Sequence, residues 1–202
     1  MQGGYIYLDH AATTPMRPEA VEAMRPYLVD QFANPSGSHR FAREARRVID
    51  EARDAVAGVL KCKPGEVVFT GGGTEGDNAA ILGAVRWMQS HGGTARAVCS
   101  AAEHHAVLHC VEHVDGVVVG TDAHGSIDLE QLAAALDELV AGGATPVVSV
   151  MAVNNEVGNI TPMREVAAVV RKHAPKAILH TDAVQAACWV DLGQLTALVD
   201  VL

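Results

Sequence analysis

The stretch PVVSVMAV, from Pro146 to Val153, is a continuous apolar run of strand length. A helical pattern begins at Thr161-Pro162, and a second short apolar run follows from Ala177 to Thr181. Strands that are apolar along their whole length and alternate with helices are typical of a parallel sheet covered on both faces. This stretch therefore predicts a strand–helix–strand unit of an α/β fold.

The same alternation extends toward the N-terminus. Further strands are predicted at Val67–Phe69, Ala97–Ser100 and Val117–Val119. The predicted helices run from Pro18 to Gln31, from a cap at Ser38 to about Leu60, from Thr74 to about Ser90, through His113, and from Asp128 onward. Asp128 with Gln131 three residues later resembles a capping box. The pattern predicts a doubly wound, mainly parallel sheet and fits neither an all-helical nor an all-β fold.

Composition narrows the functional classes. The chain has 202 residues, 49% of them hydrophobic, and can bury a substantial core. Its formal charge of −9 disfavours a nucleic-acid-binding surface. No apolar run reaches the ~20 residues of a membrane span, and no secretory signal is visible. Four scattered cysteines without a paired motif indicate free thiols and a cytoplasmic protein.

The last residues, Leu198–Leu202, form another apolar strand pattern. Buried strands are seldom left at a chain end, because their backbone groups and apolar faces need partners. We therefore expect this sequence to be truncated, an N-terminal fragment of a longer protein.

Polar residues follow four of the predicted strands. Thr74, His104, Asn155 and Asp182 each come after an apolar run. Ligands of doubly wound sheets bind beyond the carboxyl ends of the strands. These four side chains are therefore expected to converge on one ligand.

The glycine run Gly71–Gly73 before Thr74 predicts a phosphate site. Glycines allow close approach of the backbone to an anion, and a helix N-terminus presents unpaired N–H groups. A plain tight turn is the alternative. The run is neither a GxGxxG motif nor a P-loop.

Asp182 and Gln185 are candidate ligands of an aromatic ring. An acid at this edge can keep a pyridine nitrogen protonated, which makes the ring an electron sink. Gln185 could donate a hydrogen bond to a phenolate oxygen on the same ring. The alternative role for Asp182 is a helix N-cap.

The remaining candidates are His104 and Asn155. His104 could stack on a ring and shuttle protons near neutral pH, or be a structural histidine. Asn155 could bond a ring hydroxyl or a substrate carboxylate, or be a loop residue. His105, His109 and His113 have metal-like spacing, but without an HExxH order or a fourth ligand a solvated face is favoured and no metal is predicted.

Six segments carry a family resemblance, and they are Tyr7–Pro15 (YLDHAATTP), Asn34–His39 (NPSGSH), Val68–Asn78 (VFTGGGTEGDN), Glu103–Val107 (EHHAV), Asn154–Gly158 (NNEVG) and His180–Gln185 (HTDAVQ). Together they resemble the cysteine desulfurases of the class V aminotransferase group. The resemblance implies the large domain of an aspartate-aminotransferase-like fold, a homodimer, and pyridoxal 5′-phosphate (PLP) as cofactor. It also implies transfer of sulfur from L-cysteine to an enzyme cysteine with release of alanine, and then to a sulfur-acceptor protein, an iron–sulfur scaffold or a tRNA-thiolation protein.

The resemblance also assigns roles to single residues. Gly73 and Thr74 would hold the phosphate, His104 would stack on the ring, and Asp182 would hold the ring nitrogen. Gln185 and Asn155 would reach the ring oxygen, while Ala12, Thr13 and Asn155 would lie near the substrate. Residues 1–202 would form an N-terminal segment and most of the PLP-binding large domain, with the C-terminal small domain absent.

Several family features do not match. The family's Ser-x-His-Lys segment, with its Schiff-base lysine, is absent, and Lys61, Lys63, Lys172 and Lys176 lie in other contexts. None of the four cysteines matches the family's persulfide cysteine, and Gly71 and Gly76 replace common serines. This chain alone is therefore predicted to be inactive. The alternatives are a non-catalytic PLP- or phosphate-binding or dimerisation relative, or another class V enzyme such as a selenocysteine lyase.

Overall fold

The computed structural model describes residues 6–202, which divide into two compact units, one ending at Val68 and one running from Phe69 to Leu202. In the first unit, α1 spans Pro18–Val29 and α2 spans Arg40–Leu60, followed by a short 3₁₀ helix at Pro64–Glu66. Pro18 lies in the first turn of α1, where its missing N–H costs no hydrogen bond. Both predicted helices are confirmed.

The predicted cap of α2 is wrong by one residue. The N-cap is His39, not Ser38, and its Nδ1 accepts a hydrogen bond from the amide of Ala42 at 3.2 Å. An imidazole nitrogen that lacks a proton can satisfy an unpaired amide of the first turn as a serine hydroxyl would.

The second unit alternates helices and strands. Its elements are α3 (Gly73–Ser90), β1 (Ala95–Ser100), α4 (His105–His113), β2 (Val117–Val119), α5 (Leu129–Ala141), β3 (Thr145–Ser149), α6 (Met163–His173), β4 (Ile178–His180) and α7 (Leu192–Thr196). The four strands form one parallel sheet in the order β2-β1-β3-β4. The predicted parallel α/β fold is confirmed.

Two apolar clusters cover the two faces of this sheet. Val98, Val148 and Leu179 point into a cluster with side chains of α5 and α6. Their strand neighbours Cys99 and Val147 point into the opposite cluster, with side chains of α3 and α4. Successive strand residues face opposite sides, so fully apolar strands require helices on both faces. Within residues 6–202, every helix is too short or too polar to cross a bilayer.

Two predicted strands do not form as expected. Residues Val67–Phe69 have no strand structure, and the carbonyl of Val67 instead accepts a hydrogen bond from Arg53. In the segment Leu198–Leu202 only Val201 makes a bridge, parallel to His180. Strand β3 also ends at Ser149 rather than at Val153. A strand requires a neighbouring strand for its backbone groups, and none pairs with Val67–Phe69 in the described chain.

The cap of α5 provides a test of local stability. Asp128 Oδ1 accepts hydrogen bonds from the amides of Glu130 and Gln131, both at 3.0 Å, and Gln131 Nε2 donates to Asp128 Oδ2 at 2.7 Å. Asp128→Ala should lower the free energy of unfolding by ~1 kcal/mol. Thermal denaturation should show a fall in Tm of ~2–4 °C. Asp128→Asn, which keeps the acceptor oxygen, should change Tm much less, and equal losses for both variants would contradict the capping role.

Candidate functional site

The carboxyl edge of the sheet contains a topological switch point. The chain passes from β1 outward to β2, then returns to β3 on the other side of β1 and continues to β4. His104 follows β1, Asn155 follows β3 and Asp182 follows β4 at this edge. Thr74 does not follow a strand, because Val67–Phe69 is not one; it lies in the first turn of α3. Open α/β sheets bind ligands in the crevice at such a switch point.

Asp182 is a buried carboxylate, with 7% of its surface exposed. Its Oδ1 accepts a hydrogen bond from the amide of Val184 at 2.9 Å. The alternative role as a helix N-cap is wrong, because the next helical turn is the 3₁₀ helix Ala186–Cys188, whose N-cap is Gln185. The hydrogen bond from Val184 is all that the described residues provide for the carboxyl group. A buried carboxylate that receives one hydrogen bond from the protein is suited to bind a ligand that carries a positive charge or an N–H group.

A cavity of about 290 Å³ brings Asp182 together with the start of α3. Gly73, Asp77, His180, Asp182 and Val184 contribute to its wall. The volume is at the lower end of small-molecule pockets, which bury flat ligands against apolar walls and a few polar groups. The structure thus brings together two of the predicted residues, Gly73 and Asp182.

The start of α3 has the properties of an anion site. In the described chain no acceptor takes the amide N–H groups of Gly73, Thr74 or Glu75, which carry the positive end of the helix dipole. A Cβ at Gly73 would lie 2.9 Å from Val184 Cγ2, so this position is closely packed against the cavity wall. The amide of Gly71 is not available, because it donates to Glu75 Oε2 at 2.6 Å.

Thr74 and His104 line a second, more open cleft of about 600 Å³, together with side chains of α4. His104 is the N-cap of α4, and its Nδ1 accepts a hydrogen bond from the amide of Ala106 at 3.1 Å. In the neutral ring the proton must then be on Nε2. His104 therefore has a structural role as the N-cap of α4. The same hydrogen bond fixes the tautomer of the neutral ring, so that the exposed edge presents an Nε2–H donor.

Two other predicted residues of the second unit are not brought into either cleft. Asn155 and Gln185 are half-buried and line neither of them. Ala12 and Thr13 lie in the first unit, in a turn where both amides donate to the carbonyl of Asp9. Their roles toward ring and substrate stay predictions.

A buried polar cluster beneath Asp182 was missed by the sequence analysis. Ser149 Oγ lies 2.8 Å from His180 Nδ1, and His180 Nε2 lies 3.7 Å from Asp77 Oδ1. Burial, assisted by the negative charge of Asp182, raises the pKa of Asp77 to about 7. Burial lowers the pKa of His180 to about 4. Both shifts favour neutral groups, so the contact is not an ion pair at neutral pH.

Glu103 is a second buried acid that sequence reasoning overlooked. Its Oε1 accepts a hydrogen bond from the amide of Met151 at 2.7 Å, which joins the segment after β1 to the segment after β3. Asn154 Nδ2 adds a hydrogen bond to the carbonyl of Ala102 at 2.8 Å. Burial raises the pKa of Glu103 to about 8, and the charges of Asp182 and Asp77 act in the same direction. Two hydrogen bonds therefore join the segment that carries His104 to the segment that carries Asn155.

The cavity wall contains no lysine among the described residues. Lys61, Lys63, Lys172 and Lys176 are all exposed. Among residues 6–202, no group of three or more His, Cys, Asp or Glu side chains could hold a metal ion. Cys62, Cys99, Cys110 and Cys188 are free thiols.

The donor set fits a phosphorylated pyridine ring. The cavity is lined by Asp182, a buried carboxylate with one protein hydrogen bond, and by Gly73, the first of the unpaired amides at the start of α3. The first matches a protonated ring nitrogen and the second matches a phosphate. Covalent attachment to a lysine has no candidate within this wall.

Comparison with known proteins agrees with this geometry. The protein-family model described as "Aminotransferase class-V" matches residues 6–196. Cysteine desulfurase IscS of Dictyoglomus turgidum is 40% identical over 185 residues, which cover 89% of this chain and 45% of that protein. Cysteine desulfurase of Trichormus azollae is 38% identical over 202 residues, 98% of this chain and 48% of that protein. The chain spans about half the length of the curated relatives it matches.

Solved structures give the same result. The structure named "SspA in complex with cysteine" has a TM-score of 0.81 and 30% identity, and the match covers 96% of this chain and 55% of that one. A NifS-like protein has a TM-score of 0.79 and 32% identity, covering 89% of this chain and 49% of that one. The similarity thus extends over most of the present sequence.

Proposed function

The chain belongs to the class V aminotransferase family, and on that premise we propose that it supplies the ring-nitrogen and phosphate side of the PLP site of a cysteine desulfurase. The observation that carries the proposal is the shared cavity of Asp182 and Gly73. It supports one ligand that is both cationic at a ring and anionic at a tail. PLP combines these two features.

Each side chain has a distinct task in this proposal. When bound, PLP supplies an electron sink that permits bond cleavage at the carbons of an amino acid. Asp182 keeps the proton at the ring nitrogen, and the amides at the start of α3 hold the phosphate. His104 offers its Nε2–H edge beside Thr74. Asn155, Gln185, Ala12 and Thr13 are proposed to orient the ring oxygen and the substrate.

The proposed substrate is L-cysteine, whose sulfur would pass to an enzyme thiolate with release of alanine. Support comes from the relatives named cysteine desulfurase and from the similar structure that is described as a complex with cysteine. The homodimer, the sulfur-acceptor protein, the cytoplasmic location and the domain assignment of residues 1–202 stay predictions.

A second candidate function is noncovalent binding of PLP or another phosphorylated ring without turnover. It is favoured by one observation, the absence of a lysine from the described wall of the cavity. For this chain by itself we expect binding of PLP as a free aldehyde and no release of alanine or sulfide from L-cysteine.

Titration of the purified chain with PLP tests both candidates. Saturable binding should appear in ligand fluorescence or absorbance, and borohydride reduction followed by mass spectrometry should trap no specific lysine adduct. Absence of saturable binding would overturn the proposed site. A stoichiometric adduct at one of the four lysines would contradict the noncovalent mode. Free N-acetyl-lysine with PLP is the control for nonspecific adducts.

A further inference from the structure

We propose that Asp77, which lies beside His180 in the same cavity as Asp182, is a second acid of the cavity, a positioning residue that loses its proton when a cationic ring binds at Asp182. The proton leaves the Asp77 carboxyl group for solvent, and the carboxylate that remains adds to the negative potential at the ring. This inference rests on the proposed function and assigns a role to a residue that the proposed function does not use.

The geometry places Asp77 in the same cavity as Asp182. Asp77 lies one turn after Gly73 on α3, has 5% of its surface exposed, and borders the cavity together with His180 and Asp182. Three elements converge here, because Ser149 is on β3, His180 on β4 and Asp77 on α3. Ser149 and His180 are 0% and 3% exposed, so the contact is shielded from solvent.

A carboxyl group that is buried and close to another negative charge keeps its proton to higher pH. The groups that face Asp77 are His180 on β4, Asp182 after β4, Glu103 after β1 and Cys110 on α4. None of them is a permanent cation, so burial and repulsion act on Asp77 without an offsetting charge. Burial and the charge of Asp182 raise the pKa of Asp77 to about 7.

The negative charge near the ring depends on the protonation of Asp77. Below about pH 7 Asp77 is mostly neutral and adds no charge; above it, ionised Asp77 adds a negative charge beside Asp182. A cation at Asp182 stabilises the charged form of Asp77 and lowers its pKa, so binding releases a proton near neutral pH. By reciprocity, ionised Asp77 strengthens binding of the cation.

The test uses pyridoxamine 5′-phosphate, which has the ring and phosphate but cannot bond a lysine. Its affinity is measured at pH 6 and pH 8 for the parent chain, for Asp77→Asn, and for Asp115→Asn, an exposed acid outside the cavity. The ratio of parent to Asp77→Asn affinity should be about 1.5- to 3-fold at pH 6 and about 5- to 20-fold at pH 8. Ionisation of the ligand cancels in this ratio. Asp115→Asn should follow the parent at both pH values.

A second measurement needs no ligand. The ring nitrogen resonances of His180 in the unliganded chain, assigned with His180→Gln, should shift with a midpoint near pH 7 as Asp77 ionises beside Nε2. They should be flat over pH 6–8 in Asp77→Asn, because burial lowers the pKa of His180 itself to about 4. Ligand binding with a pH-independent ratio, or flat His180 resonances in the parent, would overturn this inference alone. No ligand binding by any variant would overturn the proposed function and this inference with it.

Discussion

Asp182→Asn is expected to weaken PLP binding by about 2–4 kcal/mol, or about 30- to 900-fold. The carboxylate is buried and receives one protein hydrogen bond, from the amide of Val184. An asparagine keeps the oxygen that accepts this hydrogen bond but removes the charge that would pair with the ring nitrogen. The loss is therefore expected in ligand affinity and not in folding.

Binding is measured by titration of PLP fluorescence at pH 7.5, with Tm recorded for each variant. Asp115→Asn is the matched control, since it makes the same chemical change on an exposed residue with a left-handed φ of 50°, which asparagine tolerates. Tm of Asp182→Asn should stay near that of the parent, because loss of the negative charge relieves the repulsion that raises the pKa of Asp77. Unchanged affinity in Asp182→Asn would remove the ring-nitrogen role.

Several helices and strands could be predicted from local patterns. The helix α5 and its Asp128 cap follow from spacing alone, and β1 and β2 follow from apolar runs. Val67–Phe69 has an equally good strand composition, yet it forms no strand. Composition describes a preference, whereas strand formation depends on a distant partner that takes the backbone groups. The failure is therefore one of pairing and not of propensity.

Side-chain roles were predicted less completely than the elements. Asp182 was assigned a ligand role or a helix N-cap role, and His104 a ligand role or a structural role. In the structure each makes a local hydrogen bond while bordering a cleft. Asp77 carried a detectable signal. Gly73, Asp77, Ile81 and Val85 are spaced four apart, so Asp77 shares a helix face with two core residues. His180 lies two residues before Asp182 and lines the same cavity.

Gly116→Ala is expected to produce the largest loss of stability among single-methyl additions. Gly116 joins α4 to β2, and a Cβ there would lie 2.5 Å from Val111 Cγ1, 2.6 Å from the carbonyl oxygen of Ala97 and 2.8 Å from that of Val111. Two of these atoms are backbone, in β1 and α4, and cannot rotate away. Relief requires α4 or the sheet to shift, which costs ~3 kcal/mol for overpacking of this kind.

Thermal denaturation should show a fall in Tm of ~6–12 °C for Gly116→Ala. Gly83→Ala is the matched control, because it adds the same methyl group within α3 and meets nothing within 4 Å. It should raise the free energy of unfolding by ~0.5–1 kcal/mol, since alanine favours a helix interior over glycine. A fall in stability for Gly116→Ala with a rise for Gly83→Ala would show that the close approach of backbone atoms at Gly116, and not the loss of a glycine in itself, causes the destabilisation. A Gly116→Ala chain as stable as its parent would contradict the packing described for this side of the sheet.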